Sequence, residues 1–189
     1  STKEGLVIWS RMQTSGKGRD NRLWVSDIGN MYVSVLFRPN CNMFDAAQIG
    51  FLPVIAAKET LERLLGRSIN ISYKWPNDLL LNKKKIGGTL LESGLDQETQ
   101  MVWVVVGFGL NLKHSPSMTF FPATSIKDET GLEPEIEDVV ELYLNNLSQL
   151  YCRWQNNGFE PVRKEWLSYG HSLNDTLRIK FGKEEIVGS

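Results

Sequence analysis

Three short runs in the chain carry groups suited to holding an anionic ligand against a β-sheet. Lys74-Trp75-Pro76-Asn77-Asp78 is a proline-stiffened polar turn, and Lys83-Lys84-Lys85-Ile86-Gly87-Gly88 follows it closely. Asn77 and Asp78 offer hydrogen-bonding groups at a strand end, and the lysines bring positive charge one short strand later. Gly87 and Gly88 strip the next strand of side chains, so that a ligand can lie on bare backbone. Gln13-Thr14-Ser15-Gly16-Lys17-Gly18-Arg19-Asp20-Asn21-Arg22-Leu23-Trp24 alternates cations with glycines. Glycines let backbone N–H groups converge on an anion, and Arg can grip a phosphate through two parallel bonds. Trp24 adds a flat face for an aromatic base. Gly107-Phe108-Gly109-Leu110-Asn111 closes an apolar run, with glycines clearing one face and an amide that both donates and accepts, as an adenine edge requires. Each run alone has a plainer account: a solvated basic loop, a charged hairpin tip, a bulge with an Asn turn. Their conjunction favours a site. The basic loop matches neither the Gly-x-x-x-x-Gly-Lys-Ser/Thr phosphate loop nor the dinucleotide pattern Gly-x-Gly-x-x-Gly.

The elements that must position these runs are legible as periodicity and punctuation. Leu6–Trp9 and Met31–Phe37 read as strands, with residues 13–30 a long loop between them. Asp45–Leu65 reads as one helix, capped by Asp45 with Gln48, kinked at Pro53 and stopped by Gly66. Ile69–Trp75 is expected to be a strand ended by proline. Leu79–Leu81 and Ile86–Ser93 are expected to form a hairpin around Asn82–Lys85, in which Lys83 and Lys85 share one face and Lys84 takes the other. Lys85, next to the apolar strand, is expected to point inward. Met101–Leu110 reads as a strand buried on both faces. Ile136, Val139, Val140, Tyr143, Leu144, Leu147, Leu150, Tyr151 and Trp154 follow helical spacing between Pro134 and Gly158. A second helix near Glu160–Tyr169 and a hairpin of Thr176–Phe181 with Glu184–Val187, turning at Gly182-Lys183, complete the chain. Strands and helices do not alternate strictly, which favours an α+β fold.

Composition narrows the function. The 189 residues suit one full domain with a small appendage, and the apolar share of 41% supports a sizeable core. A formal net charge of -1 argues against a general nucleic-acid binder and makes any cationic patch local. Cys41 and Cys152 are too few for a disulfide framework or a zinc site, which fits a reducing cytoplasmic setting. No stretch is long and apolar enough to span a membrane, and the N-terminus lacks the blocks of a signal peptide.

At the three runs the sequence resembles the biotin–protein ligases, specifically the catalytic domain of the bacterial type without a DNA-binding domain. Lys74–Asp78 matches the family's Lys-Trp-Pro-Asn-Asp motif in full. Residues 16–24 look like its Gly-Arg-Gly-Arg-x-Gly-Arg-x-Trp loop, Lys85-Ile86-Gly87-Gly88 like its lysine-x-x-glycine element, and Gly107–Asn111 like its Gly-x-Gly-x-Asn strand. The similarity runs from about Leu6 to Phe181. It implies a mixed β-sheet with helices packed on one side, residues 1–167 as catalytic domain, and residues 168–189 as the beginning of an SH3-like domain reduced to its first hairpin.

The resemblance also implies a reaction in two steps. Biotin and MgATP give biotinyl-5′-AMP and pyrophosphate; a lysine of a carrier, such as the biotin carboxyl carrier protein of acetyl-CoA carboxylase, then displaces AMP. Lys85 and Arg19 take the catalytic roles, Lys85 beside the carboxylate and phosphate and Arg19 on the phosphate. Gln13, Gly16, Lys17, Gly18, Arg19, Lys85 and Gly88 are implied to bind biotin, and Arg19, Arg22, Trp24, Asn77 and Asn111 to bind ATP. Asp78 is implied to sit near Mg²⁺. Lys17 stands where the family usually has Arg, and Asn21 replaces the loop's third glycine, a substitution that Asn's tolerance of positive φ permits. Ser1-Thr2-Lys3 lies too close to the first strand to be the family's upstream Ser-Thr-Asn-like element, so residues are expected to be missing there, and no helix-turn-helix precedes it to suggest repression. A homodimer is compatible with the family; no nucleic-acid or membrane partner is expected. Two alternatives stand beside this one. Lipoate–protein ligases and octanoyltransferases share the fold but lack Trp-Pro in the Asn-Asp motif. A non-catalytic ligand- or nucleic-acid-binding module would use the basic loop without ATP turnover.

Overall fold

The structure, a computed structural model, describes residues 3–66, 69–117, 121–170, 177–181 and 184–188. Strands β1 (Val7–Ser10), β2 (Met31–Phe37), β3 (Ile71–Lys74), β4 (Asp78–Leu81), β5 (Lys84–Leu95) and β6 (Val102–Leu110) form a six-stranded sheet in the order β1-β2-β6-β5-β4-β3. The strand pairs are antiparallel; a bridge of Lys85 with Ala123 adds a parallel pairing. Strands β7 (Leu177–Phe181) and β8 (Glu184–Gly188) make a separate antiparallel pair. Ser1, Thr2, Thr176 and the expected turn at Gly182-Lys183 lie outside the described residues.

One face of the sheet is covered by helices. Alternation along β6 shows why: Val102, Val104, Val106 and Phe108 are buried, and Phe108 stacks on Tyr143 of α4 (Ile136–Asn157) with ring centroids 5.2 Å apart. Trp103, Val105 and Gly107 point the other way and are only half-buried. The expectation that this strand is buried on both faces is therefore wrong; its second face is open and helps line a cavity. Helix α4 buries Val139, Val140, Tyr143, Leu147, Leu150, Tyr151 and Trp154, an apolar stripe of helical period, and ends at Gly158 with φ 71°. It meets α2 (Leu52–Leu65) through a buried hydrogen bond from Asn146 Nδ2 to Thr60 Oγ1 at 3.0 Å.

The segment expected as one kinked helix is three pieces. Helix α1 (Met43–Ala46) is followed by a 3-10 stretch, Ala47–Phe51, and then by α2. Asn42, not Asp45, caps α1, accepting from the Asp45 N–H. Pro53 lies in the first turn of α2, where its missing N–H costs no helical bond. Two helices that punctuation did and did not reveal complete the layer: α5 (Glu160–Tyr169), which runs two residues past the expected domain boundary at 167, and α3 (Ile126–Thr130), which had no counterpart in the sequence reading. Among the described residues, no helix is long and apolar enough to cross a membrane.

Candidate active site

Registers across the sheet assemble a row from all six strands. Lys74 faces Asp78, Asp78 faces Gly88, Gly88 faces Gly109, Gly109 faces Tyr32 and Tyr32 faces Ser10. Directly opposed residues in an antiparallel sheet share a face, so the row lies on the open side. It is charged at one end and bare in the middle. The next row, Leu90–Gly107–Ser34–Ile8, continues the bare strip along β6. Above these rows opens a cavity of about 830 Å³.

Lys85 reaches this face through a β-bulge. Leu79 pairs with Gly87 but Leu80 pairs with Lys85, which leaves Ile86 as the extra residue of β5. Without it, strict alternation would send Lys85, three residues from Gly88, to the helix side. Instead Ile86 is fully buried and Lys85 Nζ stands 2.5 Å from Asp78 Oδ1. Neighbouring segments hold the bulge. The Lys85 N–H donates to the Pro122 carbonyl and the Thr124 N–H donates to the Lys85 carbonyl, both at 2.8 Å; the Asn111 N–H donates to the Ile86 carbonyl, also at 2.8 Å. Lys83 lies in the preceding turn with φ 64°, after Asn82 with φ 51°, so it does not share a strand face with Lys85. Lys84 turns away to Glu129 at 2.9 Å.

The basic loop folds back on itself. Gln13 N–H donates to Ser26, Trp24 N–H to Gly16 and Gly18 N–H to Arg22. At the tip, Asp20 and Asn21 have φ of 56° and 55°, so Asn21 does adopt the conformation a glycine would. Gly16 is required by the loop itself: a Cβ there would stand 2.3 Å from the Trp24 carbonyl oxygen. It is buried and does not line the cavity, unlike every other residue singled out as a ligand contact. Gln13, Lys17, Gly18, Arg19, Arg22, Trp24, Asn77, Asp78, Lys85, Gly88 and Asn111 all do. The Trp24 ring lies on the bare backbone of Gly109, where a Cβ would stand 2.6 Å from Nε1, and the Lys85 ammonium is 5.1 Å from the ring centre. Part of the glycine floor thus receives the tryptophan. Trp24 Nε1 is buried and has no hydrogen-bond partner, an orphan donor inside the cavity.

Asn77 and Asn111 also hold the frame. Asn77 Nδ2 donates to the Thr89 carbonyl at 2.5 Å, and the Thr89 N–H returns a bond to the Asn77 carbonyl. Asn111 Nδ2, buried, donates to the Thr124 carbonyl at 3.0 Å. Charge in the cavity is mostly positive: Lys17, Arg19, Arg22, Lys74 and Lys85 against Asp78 and Glu92. Burial pushes the Lys74 ammonium below its ordinary value; Asp78 opposes the shift, while the charges of Lys85 and Arg22 add to it. Cations from the loop and from the sheet therefore bear on one another before any anion is bound. Lys74 and Phe121 were missed by sequence reasoning. Lys74 stands directly opposite Asp78, a relation its place in the motif could have suggested, and its Nζ lies 3.4 Å from the Phe121 ring centre. Phe121 belongs to a stretch without periodic signal.

Asp78 can offer one carboxylate to a cation. Among the described residues no group of three His, Cys, Asp or Glu side chains could hold a metal ion. Mg²⁺ commonly takes one or two carboxylates and completes its shell with phosphate oxygens and water. Asp78 fits that manner of binding, with a triphosphate as the larger contributor.

Comparison with known proteins bears on the family and the fold. The family described as Biotin/lipoate A/B protein ligase matches residues 1–109. A biotin–[acetyl-CoA-carboxylase] ligase of Paracoccus denitrificans is 33% identical over 191 residues, covering 96% of this chain and 77% of that protein. A bifunctional ligase/repressor of Bacillus subtilis (strain 168) is 29% identical over 94% of this chain, which spans only 55% of that relative. Among solved structures, the biotin protein ligase from Aquifex aeolicus in complex with biotin and ATP superposes with a TM-score of 0.83 at 26% identity, covering all of this chain and 78% of that one.

Proposed function

The chain belongs to the biotin/lipoate A/B protein ligase family, and from that premise we propose that it is an ATP-dependent biotin–protein ligase. The observation that carries the proposal is the cavity in which Lys85 of the sheet and Arg19, Arg22 and Trp24 of the basic loop meet over a glycine floor. Biotin and ATP are the substrates. In the first step a biotin carboxylate oxygen attacks the α-phosphorus of ATP, the bond to the β-phosphate oxygen breaks, and pyrophosphate leaves. Two anions must approach, so fixed positive charge and positioning carry the catalysis. Lys85, drawn from Asp78 towards the incoming anions, stabilises charge where carboxylate and phosphate meet. Arg19 holds the phosphate; Arg22, Lys17 and Lys74 offset the remaining triphosphate charge. Gln13, Gly18 and Gly88 form the biotin side, and Trp24, Asn77 and Asn111 the nucleotide side. Mg²⁺, held by Asp78 and phosphate oxygens, would screen the triphosphate. In the second step the neutral amine of a carrier lysine attacks the acyl carbon, the bond to AMP breaks, and the amine proton passes to water.

The acceptor is a biotin carboxyl carrier domain; the catalytic domain runs through α5 to Tyr169, and the β7–β8 hairpin is the SH3-like part. We place the enzyme in the cytoplasm, in keeping with the free thiols of Cys41 and Cys152. A homodimer is the assembly we propose, with β1, the end strand of the sheet, offering its outer edge. The test is incubation with labelled biotin, ATP, Mg²⁺ and a carrier domain. Label on one carrier lysine and biotin-dependent exchange of pyrophosphate into ATP are expected, both falling sharply, to a residual but measurable rate, in Lys85→Met. Transfer of lipoate in preference to biotin, or nucleotide binding without exchange, would overturn the proposal.

A further inference from the structure

We propose that Glu129 is a positioning residue for Lys85, acting through the backbone of the bulge; this rests on the ligase assignment above. Lys85 is held on the open face by main-chain bonds to a stretch that is not a strand. Its N–H donates to Pro122, and its carbonyl accepts from Thr124. That stretch must itself be fixed relative to the β4–β5 turn. Glu129, on the short helix α3, supplies the fixture. Its carboxylate accepts from Asn82 Nδ2 at 2.6 Å and Lys84 Nζ at 2.9 Å on the turn, and from Thr124 Oγ1 at 2.6 Å on the stretch. The helix is anchored in turn by Ser125, whose Oγ accepts from the Asp128 N–H. Three donors from two segments thus close a ring around the Lys85 peptide.

The same contact sorts two adjacent lysines. Lys84 pairs with Glu129 and Lys85 with Asp78. Successive residues of a strand point to opposite faces, so their side chains diverge and each finds its own carboxylate, and the bulge that follows puts Lys85 on the face of Gly88. Removing Glu129 frees Lys84, unties the turn from Thr124, and lets the Lys85 peptide drift. A shift of about 1 Å at a catalytic group costs about 100-fold in rate.

The experiment is a double-mutant cycle read by biotin-dependent pyrophosphate exchange. Glu129→Ala is expected to lower kcat about 10- to 100-fold, beyond any loss accounted for by the folded fraction measured on the same sample. ATP KM should stay put, since the triphosphate-facing cations of the loop are untouched. In a Lys85→Met background the same substitution should cost nothing further, because a positioning residue has nothing left to position. Glu129→Gln, which keeps an acceptor for Asn82 and Thr124, should recover most of the rate; if the alanine variant fails to fold, Thr124→Val, which removes the hydroxyl that Glu129 accepts from, takes its place in the cycle with a loss in the same direction. Independent, multiplying losses from Glu129 and Lys85 substitutions would overturn the inference, as would a rate loss that tracks the unfolded fraction alone. If Lys85→Met itself exchanges pyrophosphate at the unsubstituted rate, it is the catalytic assignment that falls.

Discussion

Gly109 and Gly107 stand on the same face of the same strand, yet substitution by alanine should separate them cleanly. At Gly109 a Cβ would lie 2.6, 2.7 and 2.8 Å from Nε1, Cε2 and Cζ2 of Trp24. Carbon contacts settle near 3.5–4.0 Å, so the indole must retreat by about 1 Å. At Gly107 the nearest atom is the Leu90 carbonyl oxygen at 3.6 Å, an ordinary contact within the sheet. Neither glycine has a positive φ, so alanine suits both backbones and gains about 0.5–1 kcal/mol from the unfolded state. Overpacking against the ring costs about 1–3 kcal/mol. Gly109→Ala should therefore lose about 0–2.5 kcal/mol net and stand about 1–3 kcal/mol below Gly107→Ala, with the loop of residues 13–26 loosened from the sheet. Gly107→Ala should be as stable as the parent or slightly more so, but its methyl stands in the cavity floor and should raise the KM for biotin. Urea unfolding and biotin-dependent pyrophosphate exchange measure both effects. In a Trp24→Ala background, Gly109→Ala should cost nothing. If the two alanine variants are equally stable, and Trp24→Ala does not change the cost at position 109, then the ring does not rest on the strand.

Two further outcomes follow from the site's charges. Replacing Arg19 by glycine removes a charged phosphate contact of about 1.5–3 kcal/mol, so the adenylate should leave about 10- to 150-fold faster; stray biotin on unrelated proteins added to the mixture reports its escape, and transfer confined to the carrier would count against Arg19 as the retaining group. Bonds from Asn82, Thr124 and Lys84 hold the Glu129 carboxyl at about 2, below its ordinary value of 4.5; with the folded value depressed, its stabilisation is complete above about 4.5 and is lost as pH falls towards 2. Glu133 shifts the same way, so the comparison of parent with Glu129→Gln between pH 6 and 3 isolates the Glu129 share, and parallel stability curves for the two would refute it.

The sheet was readable because its signals are local. Met31–Phe37 and the run before Asn111 are β-branched and aromatic, and glycine, proline and asparagine mark their ends. Helix α4 declared itself through its apolar stripe. Errors arose where tertiary choice overrides a local rule. Asp45 and Gln48 form a plausible capping pair, and their side chains do bond to each other at 3.1 Å. Asn42 sits earlier and takes the cap. An apolar run cannot reveal which face of a strand stays open, so β6 looked doubly buried. Helix α3 is five residues long, too short for a periodic signal to emerge.

The site shows a subtler limit. Lys85 was expected to point inward because it adjoins an apolar strand, and inward it points, but adjacency is not the cause. By alternation alone, Lys85 and Gly88 belong to opposite faces. Ile86 breaks the alternation, and nothing in Lys-Ile-Gly-Gly announces an extra residue. What fixes the bulge comes from elsewhere in the chain: Pro122 and Thr124 take the Lys85 peptide, Asn111 takes Ile86, and α3 steadies them. The spacing between the lysine and the glycine therefore makes chemical sense only together with a segment more than thirty residues downstream that carries no motif of its own. Motif residues mark where a ligand sits; the unremarkable stretch between β6 and α4 decides which way the lysine faces.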